Sequence, residues 1–84
     1  MSLQQDMVNA QANLNTTSKG LLDKILDVSE RVKALNLATA AGSAELQRLQ
    51  LEISNYQRDL EAVKQMQEKL AKAQETINKF IQPQ

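Results

Sequence analysis

Apolar residues recur at steps of three and four along two stretches of the chain, which is the spacing of one face of an α-helix. In the first stretch these residues are Leu21, Ile25, Val28, Val32 and Leu35. Oppositely charged residues three or four positions apart, such as Asp27 and Arg31, accompany the apolar stripe and support a helical surface. The pattern predicts a first helix over residues 19–37.

The segment before this helix, residues 1–18, is polar and carries one charge, Asp6. Leu3, Met7 and Leu14 keep the helical spacing, but the Asn and Thr residues that precede Gly20 are weak helix formers. We therefore expect residues 1–18 to be weakly helical in a free subunit. We expect them to become ordered when Leu3, Met7 and Leu14 pack against further copies of the chain.

The second apolar stretch is longer and contains neither Gly nor Pro. Its positions assigned to helix packing are Leu46, Leu49, Ile53, Tyr56, Leu60, Val63, Leu70 and Ile77, and Met66, Ala73 and Phe80 share the same spacing. Before it, Gly42 is expected to end one helix in the left-handed conformation and Ser43 to cap the next. These signals predict a turn over residues 38–43 and a helix over residues 44–81, with Pro83 ending it.

Two helices joined by a short turn must fold back on each other, so the predicted fold is an all-α, antiparallel two-helix hairpin resembling a coiled coil. Such a hairpin buries one stripe per helix and leaves other apolar residues uncovered. Placed at about 100° per residue, Leu22, Leu26, Leu37 and Leu51 fall well away from the packing stripes. Together with Leu3, Met7 and Leu14, they are the candidate contacts between subunits.

Composition narrows the possible functions. The 84 residues include no His and no Cys, which excludes imidazole catalysis, thiol chemistry and zinc sites built from these residues. The Asp23/Asp27 pair is interpreted as a solvated helix face beside Lys24 and Arg31. We therefore expect no enzymatic activity, no catalytic residue, no metal site and no cofactor.

Charge and hydropathy bear on partners and location. Ten basic and ten acidic residues give a net charge of zero, which argues against nucleic acid as a partner. The apolar runs are far too short to span a membrane. The first residues lack the basic and apolar regions of a cleavable signal peptide, so we expect a chain that stays in the cytoplasm or is exported without one.

The second helix resembles the carboxy-terminal helix of type III secretion needle and inner-rod subunits over residues 46–81. The resemblance is carried by Leu49-Gln50, by Ile53 and Tyr56 at successive steps of three, by Leu70 and Ile77, and by the terminal Phe80-Ile81. The turn differs, because needle subunits often have a Pro-containing turn and this chain has Ala-Thr-Ala-Ala-Gly-Ser.

The resemblance implies a bacterial structural subunit that stacks helically into a needle or rod and forms a conduit for protein export. Such a subunit is cytoplasmic before export and then belongs to a secreted or cell-surface assembly. Its partners are further copies of itself, with a secretion chaperone or the export apparatus as additional candidates. The alternative is a cytoplasmic secretion chaperone or coiled-coil adaptor whose apolar face binds a partner helix.

Overall fold

Two long helices make up nearly all of the structure. The computed structural model describes residues 2–81, and of Ile81 only the backbone, so Pro83 lies outside the described residues. Helix α1 comprises Leu3–Lys33 and helix α2 comprises Ala40–Ile81. They pack against each other as an antiparallel hairpin measuring 68 × 18 × 16 Å. The predicted all-α hairpin is confirmed.

The contact between the helices follows a heptad repeat. In α1 and the start of the turn, the main set of buried or half-buried positions is Met7, Gln11, Leu14, Ser18, Leu21, Ile25, Val28, Val32 and Leu35. In α2 the corresponding set is Gly42, Leu46, Leu49, Ile53, Tyr56, Leu60, Val63, Gln67, Leu70, Gln74 and Ile77, and four further half-buried residues, Ala10, Ser29, Glu45 and Glu52, lie beside the two sets. Both sets alternate steps of four and three, which is the spacing of coiled-coil a and d positions. We call these two sets together the seam.

The seam has a different chemistry at its two ends. Next to the turn, every seam position except Gly42 is apolar or aromatic, from Leu21 to Leu35 in α1 and from Leu46 to Val63 in α2. Toward the chain termini, Gln11 and Ser18 alternate with apolar residues in α1, as Gln67 and Gln74 do in α2. The amide of Gln67 donates a hydrogen bond to Oδ1 of Asn15 across the helices at 2.8 Å. The half of the hairpin next to the termini therefore buries less apolar surface.

Helix α1 begins sixteen residues earlier than the sequence predicts, because the predicted start was residue 19 and the observed start is Leu3. Ser2 caps it, with its Oγ accepting a hydrogen bond from the Gln5 N–H at 3.1 Å. The weak helix formers of the segment cost a few tenths of a kcal/mol each, and packing on α2 outweighs them. Met7 is only 7% exposed in the hairpin itself. Neighbouring copies are not needed to bury Met7.

The turn lies earlier than predicted, between the end of α1 at Lys33 and the start of α2 at Ala40, so the predicted bounds of 38–43 are wrong. Thr39 is the residue that caps α2: its Oγ1 accepts a hydrogen bond from the Gly42 N–H at 3.0 Å. The same hydroxyl donates to the carbonyl oxygen of Asn36 at 2.9 Å. Ser43 lies inside the helix and is exposed, so its predicted capping role is wrong.

Gly42 is also inside α2, and no glycine in the described residues has a positive φ, so the predicted left-handed conformation is wrong. Its lack of a side chain matters for another reason. A Cβ atom built at Gly42 would lie 1.9 Å from the carbonyl oxygen of Asn36. The first turn of α2 thus packs directly on the backbone of the turn, which only glycine permits.

Candidate assembly surfaces

The residues predicted to pack the hairpin all lie on the seam. Val28 and Leu49 are each 1% exposed and Val63 is 5% exposed. The remaining ones are half-buried: Leu21, Ile25, Val32, Leu35, Leu46, Ile53, Tyr56, Leu60, Leu70 and Ile77. Met7 and half-buried Leu14 join them, which corrects their assignment to contacts between subunits. The spacing of seven residues that links Met7 and Leu14 to Leu21 was the signal for this role.

The other candidate contacts are exposed within a single chain. Leu3, Leu22, Leu26, Leu37 and Leu51 are between 47% and 66% exposed. Three further large apolar residues, not among the predicted contacts, are exposed as well: Val8, Met66 and Phe80, with Phe80 reaching 84%. Among the described residues, exposed large apolar side chains thus outnumber buried ones. Whether these residues contact other copies stays a prediction.

The seam positions next to the turn are flanked by an electrostatic contact between the helices. The guanidinium of Arg31 lies 4.0 Å from Oε1 of Glu45, and the Lys24 ammonium lies 5.6 Å from the centre of the Tyr56 ring. The Tyr56 hydroxyl donates to Oε1 of Glu52 at 3.0 Å, and this hydrogen bond raises the pKa of Tyr56 above its usual value. The Arg31–Glu45 and Lys24–Tyr56 contacts join the two helices, whereas the Tyr56–Glu52 hydrogen bond lies within α2.

Glu45 also receives hydrogen bonds from Arg48 on the next turn of α2, including one from Nε to Oε2 at 3.0 Å. This contact holds the pKa of the Glu45 carboxyl below its usual value, with smaller contributions from the charges of Arg48 and Arg31. Arg48 reaches forward to Glu52 as well, at 3.3 Å. The cluster ties the first turns of α2 to the last turn of α1 through Arg31.

The two surfaces that point away from the seam carry opposite charges. On α1, the heptad positions c and f, opposite the seam, hold only acidic charges, and we call this set the acidic outward face: Asp6, Asp23, Asp27 and Glu30. On α2 the same positions hold only basic charges, and we call this set the basic outward face: Arg48, Arg58, Lys69, Lys72 and Lys79. All nine residues are exposed.

Sequence reasoning missed this separation. It took oppositely charged residues three or four positions apart only as support for a helical surface. In the heptad frame, Glu61, Glu68 and Glu75 occupy b positions beside the basic outward face, as Lys19 and Lys33 do beside the acidic outward face. Assigning heptad positions to each charge would have revealed the two faces before the structure.

An open groove crosses the half of the hairpin next to the termini. Met7, Val8 and Gln11 line it from α1, and Leu70, Ala71 and Gln74 line it from α2. Its walls are mostly apolar, and it contains no charged side chain. The groove can receive an apolar side chain, but it offers no group for acid–base or nucleophilic chemistry.

The described residues contain no group of three or more Asp and Glu side chains arranged to hold a metal ion. Neither α1 nor α2 is long and apolar enough, over its described residues, to cross a membrane.

The chain matches no family model, no curated protein and no solved structure. Functional inference therefore rests on the surfaces and on the sequence resemblance of residues 46–81.

Proposed function

We propose that this protein is a structural subunit that polymerises helically through its exposed apolar residues into a secretion needle or rod for protein export. The observation that carries the proposal is the exposure of Leu26 at 64% and Leu51 at 66%, on a rod too thin to cover them itself. Burying a large apolar side chain fully gains about 1.5–3 kcal/mol, so association is favourable for each such residue that it covers.

The geometry supports polymerisation over a closed pair. The exposed apolar residues lie on both helices and on several sides of the rod, from Leu3 and Phe80 near the termini to Leu37 at the turn. A two-fold dimer would cover one patch on each copy and leave the others in water. A subunit surrounded by several neighbours would cover more of them. The needle or rod identity comes from the resemblance of residues 46–81 to secretion subunits.

Electron microscopy and light scattering of the purified chain at increasing concentration test this function. We expect filaments or very large species above a threshold concentration, with the protein alone and without added nucleotide or metal. A species that stays dimeric at millimolar concentration would contradict the proposal.

The alternative is a chaperone or adaptor that binds a partner helix, and the groove beside Leu70 and Ala71 favours it. A helix with an apolar stripe could place one large side chain between Met7 and Leu70. This function predicts a defined complex with fixed stoichiometry and no filaments. Stoichiometry measured by native mass spectrometry separates the two proposals.

A further inference from the structure

We infer that copies of this chain associate side by side, with the acidic outward face of one copy against the basic outward face of the next. This inference rests on the proposed function, because it names the contact through which the subunits polymerise. Its occupant is a second copy of the same chain, and the argument for that occupant is charge complementarity between two faces of one molecule.

Each face has an exposed leucine among its charges. On α1, Leu26 lies three residues after Asp23 and four before Glu30, so the three side chains are neighbours on the helix surface. On α2, Leu51 lies three residues after Arg48 and seven before Arg58. Lys19 and Lys33 also lie seven residues from Leu26, but its nearest charges are acidic, whereas the nearest charge to Leu51 on its outward face is basic. The two leucines thus have charges of opposite sign beside them, which is the arrangement of a complementary pair.

The register of the hairpin places these counterparts at similar heights along the rod. Lys24 lies over Tyr56 and Arg31 approaches Glu45, so the helix segments around Asp23 and Arg58 are level, as are those around Glu30 and Arg48. A copy moved sideways therefore brings Leu26 opposite Leu51 within about one helical turn of 5.4 Å. No sliding along the rod axis is required.

Because the two faces point in opposite directions, this contact uses a different surface on each partner and leaves one face of each kind free at the ends. Such a heterologous contact continues from copy to copy and forms a ring or an open filament according to the rotation between copies. Polymerisation then follows from the distribution of charge on a molecule whose net charge is zero.

The test uses two charge-reversed variants. Replacing Asp23, Asp27 and Glu30 by Lys makes both outward faces basic, and replacing Arg58, Lys69 and Lys72 by Glu makes the basic outward face acidic on balance. Each variant alone should need about tenfold or more higher concentration to assemble, because attractive contacts become repulsive. A one-to-one mixture should assemble again with the two variants alternating, as measured by light scattering and native mass spectrometry.

Matched controls make the same changes in net charge elsewhere. Replacing Glu61, Glu68 and Glu75 by Lys matches the first variant, and replacing Lys19, Lys33 and Lys64 by Glu matches the second. Both controls should assemble near the wild-type concentration. If the variants assemble alone as readily as their controls, or if the folded variants remain dissociated when mixed, the contact between these faces does not exist.

Cysteine crosslinking provides a second readout that does not depend on charge reversal. The chain has no native Cys, so a Leu26→Cys variant mixed with a Leu51→Cys variant has one thiol per molecule. Oxidation should yield mainly disulfide-linked heterodimers, since a disulfide requires Cα atoms within about 7 Å. Replacing Leu26→Cys by Leu22→Cys should reduce the yield several-fold. Equal yields for both would overturn the inference.

These results separate the contact from the proposed function. Filaments of the wild-type chain with no heterodimer crosslinking would leave the function in place and reject the contact. Heterodimer crosslinking of the Cys variants, together with a wild-type protein that never exceeds a few copies, would support the contact and reject the filament. If copies of this chain do not make the contact, a different protein becomes the candidate partner of the two faces.

Discussion

At the scale of single residues, the two glycines have opposite roles although both lie inside helices. A Cβ at Gly20 would meet no atom within 4 Å, whereas at Gly42 it would overlap the carbonyl group of Asn36. We predict that Gly20→Ala stabilises the hairpin by about 0.5–1 kcal/mol, as expected for an unhindered helix position. Gly42→Ala should destabilise it by about 1–3 kcal/mol, since the turn must move.

Urea unfolding of the two alanine variants, below the concentration at which assembly begins, measures both free energies. Each variant is the control for the other, because the substitution is the same and only the surroundings differ. Equal effects of the two substitutions would show that α2 does not pack on the turn as described.

The cap of α2 provides a second residue-scale prediction. Thr39→Ala removes the hydroxyl that accepts from the Gly42 N–H and donates to Asn36, so it should cost about 0.5–2 kcal/mol in the free energy of unfolding. Ser43→Ala, at the position that the sequence favoured as the cap, should change stability by less than about 0.5 kcal/mol. A larger loss for Ser43→Ala than for Thr39→Ala would place the start of α2 later in the chain.

The Glu45 carboxyl is expected to titrate below its usual range because Arg48 hydrogen bonds to it. A carboxyl whose pKa is lowered in the folded state stabilises that state at neutral pH, and the contribution is lost as the pH falls through the lowered value. Arg48→Gln should raise the pKa of Glu45 toward that of an ordinary Glu. Carbon-detected NMR titration measures the change, and an unchanged pKa would mean that the Arg48 contact is absent in solution.

At the scale of the helices, the seam predicts a gradient of local stability. Gln11, Ser18, Gln67 and Gln74 occupy seam positions near the termini that are apolar near the turn. We therefore expect amide protons in residues 7–18 and 67–77 to exchange faster than those in residues 25–33 and 46–56. Native-state hydrogen exchange measures this directly.

Gln74→Leu is the matched substitution for this gradient, because it replaces a seam amide with an apolar side chain of similar size. It should slow exchange in both segments next to the termini and add about 1 kcal/mol to stability. Gln65→Leu, on the exposed surface of α2, should do neither. Uniform exchange rates along both helices would contradict the gradient.

At the scale of the whole molecule, the exposed leucines and the seam residues should respond differently to substitution. Leu26→Asp or Leu51→Asp should raise the concentration needed for assembly while leaving the helical circular dichroism signal intact. Ile53→Asp should abolish both the assembly and the helical circular dichroism signal, because a charge in the seam is costly to bury. Circular dichroism and light scattering on the same samples distinguish the two effects. Loss of helicity in Leu51→Asp comparable to that in Ile53→Asp would show that Leu51 supports the hairpin itself.

The sequence alone determined the fold of this protein and the residues that hold it together. Steps of three and four identify a helix whatever the surroundings, and a short turn between two such helices leaves an antiparallel hairpin as the compact solution. Val28, Leu49 and Val63 were assigned to the packing stripes from spacing, and they are among the most buried residues. The exposure of Leu26 and Leu51 followed from the same spacing.

Only the tertiary structure decided where the helices begin and end and how residues 2–18 fold. Local propensity penalises Asn13, Thr16 and Gly20 in a helix, but packing of Met7 and Leu14 on a longer α2 outweighs those penalties, and propensity does not report a contact sixty residues away. Gly42 carried a local signal for a helix end. Its actual role depends on the carbonyl oxygen of Asn36, whose approach is set by how the two helices meet.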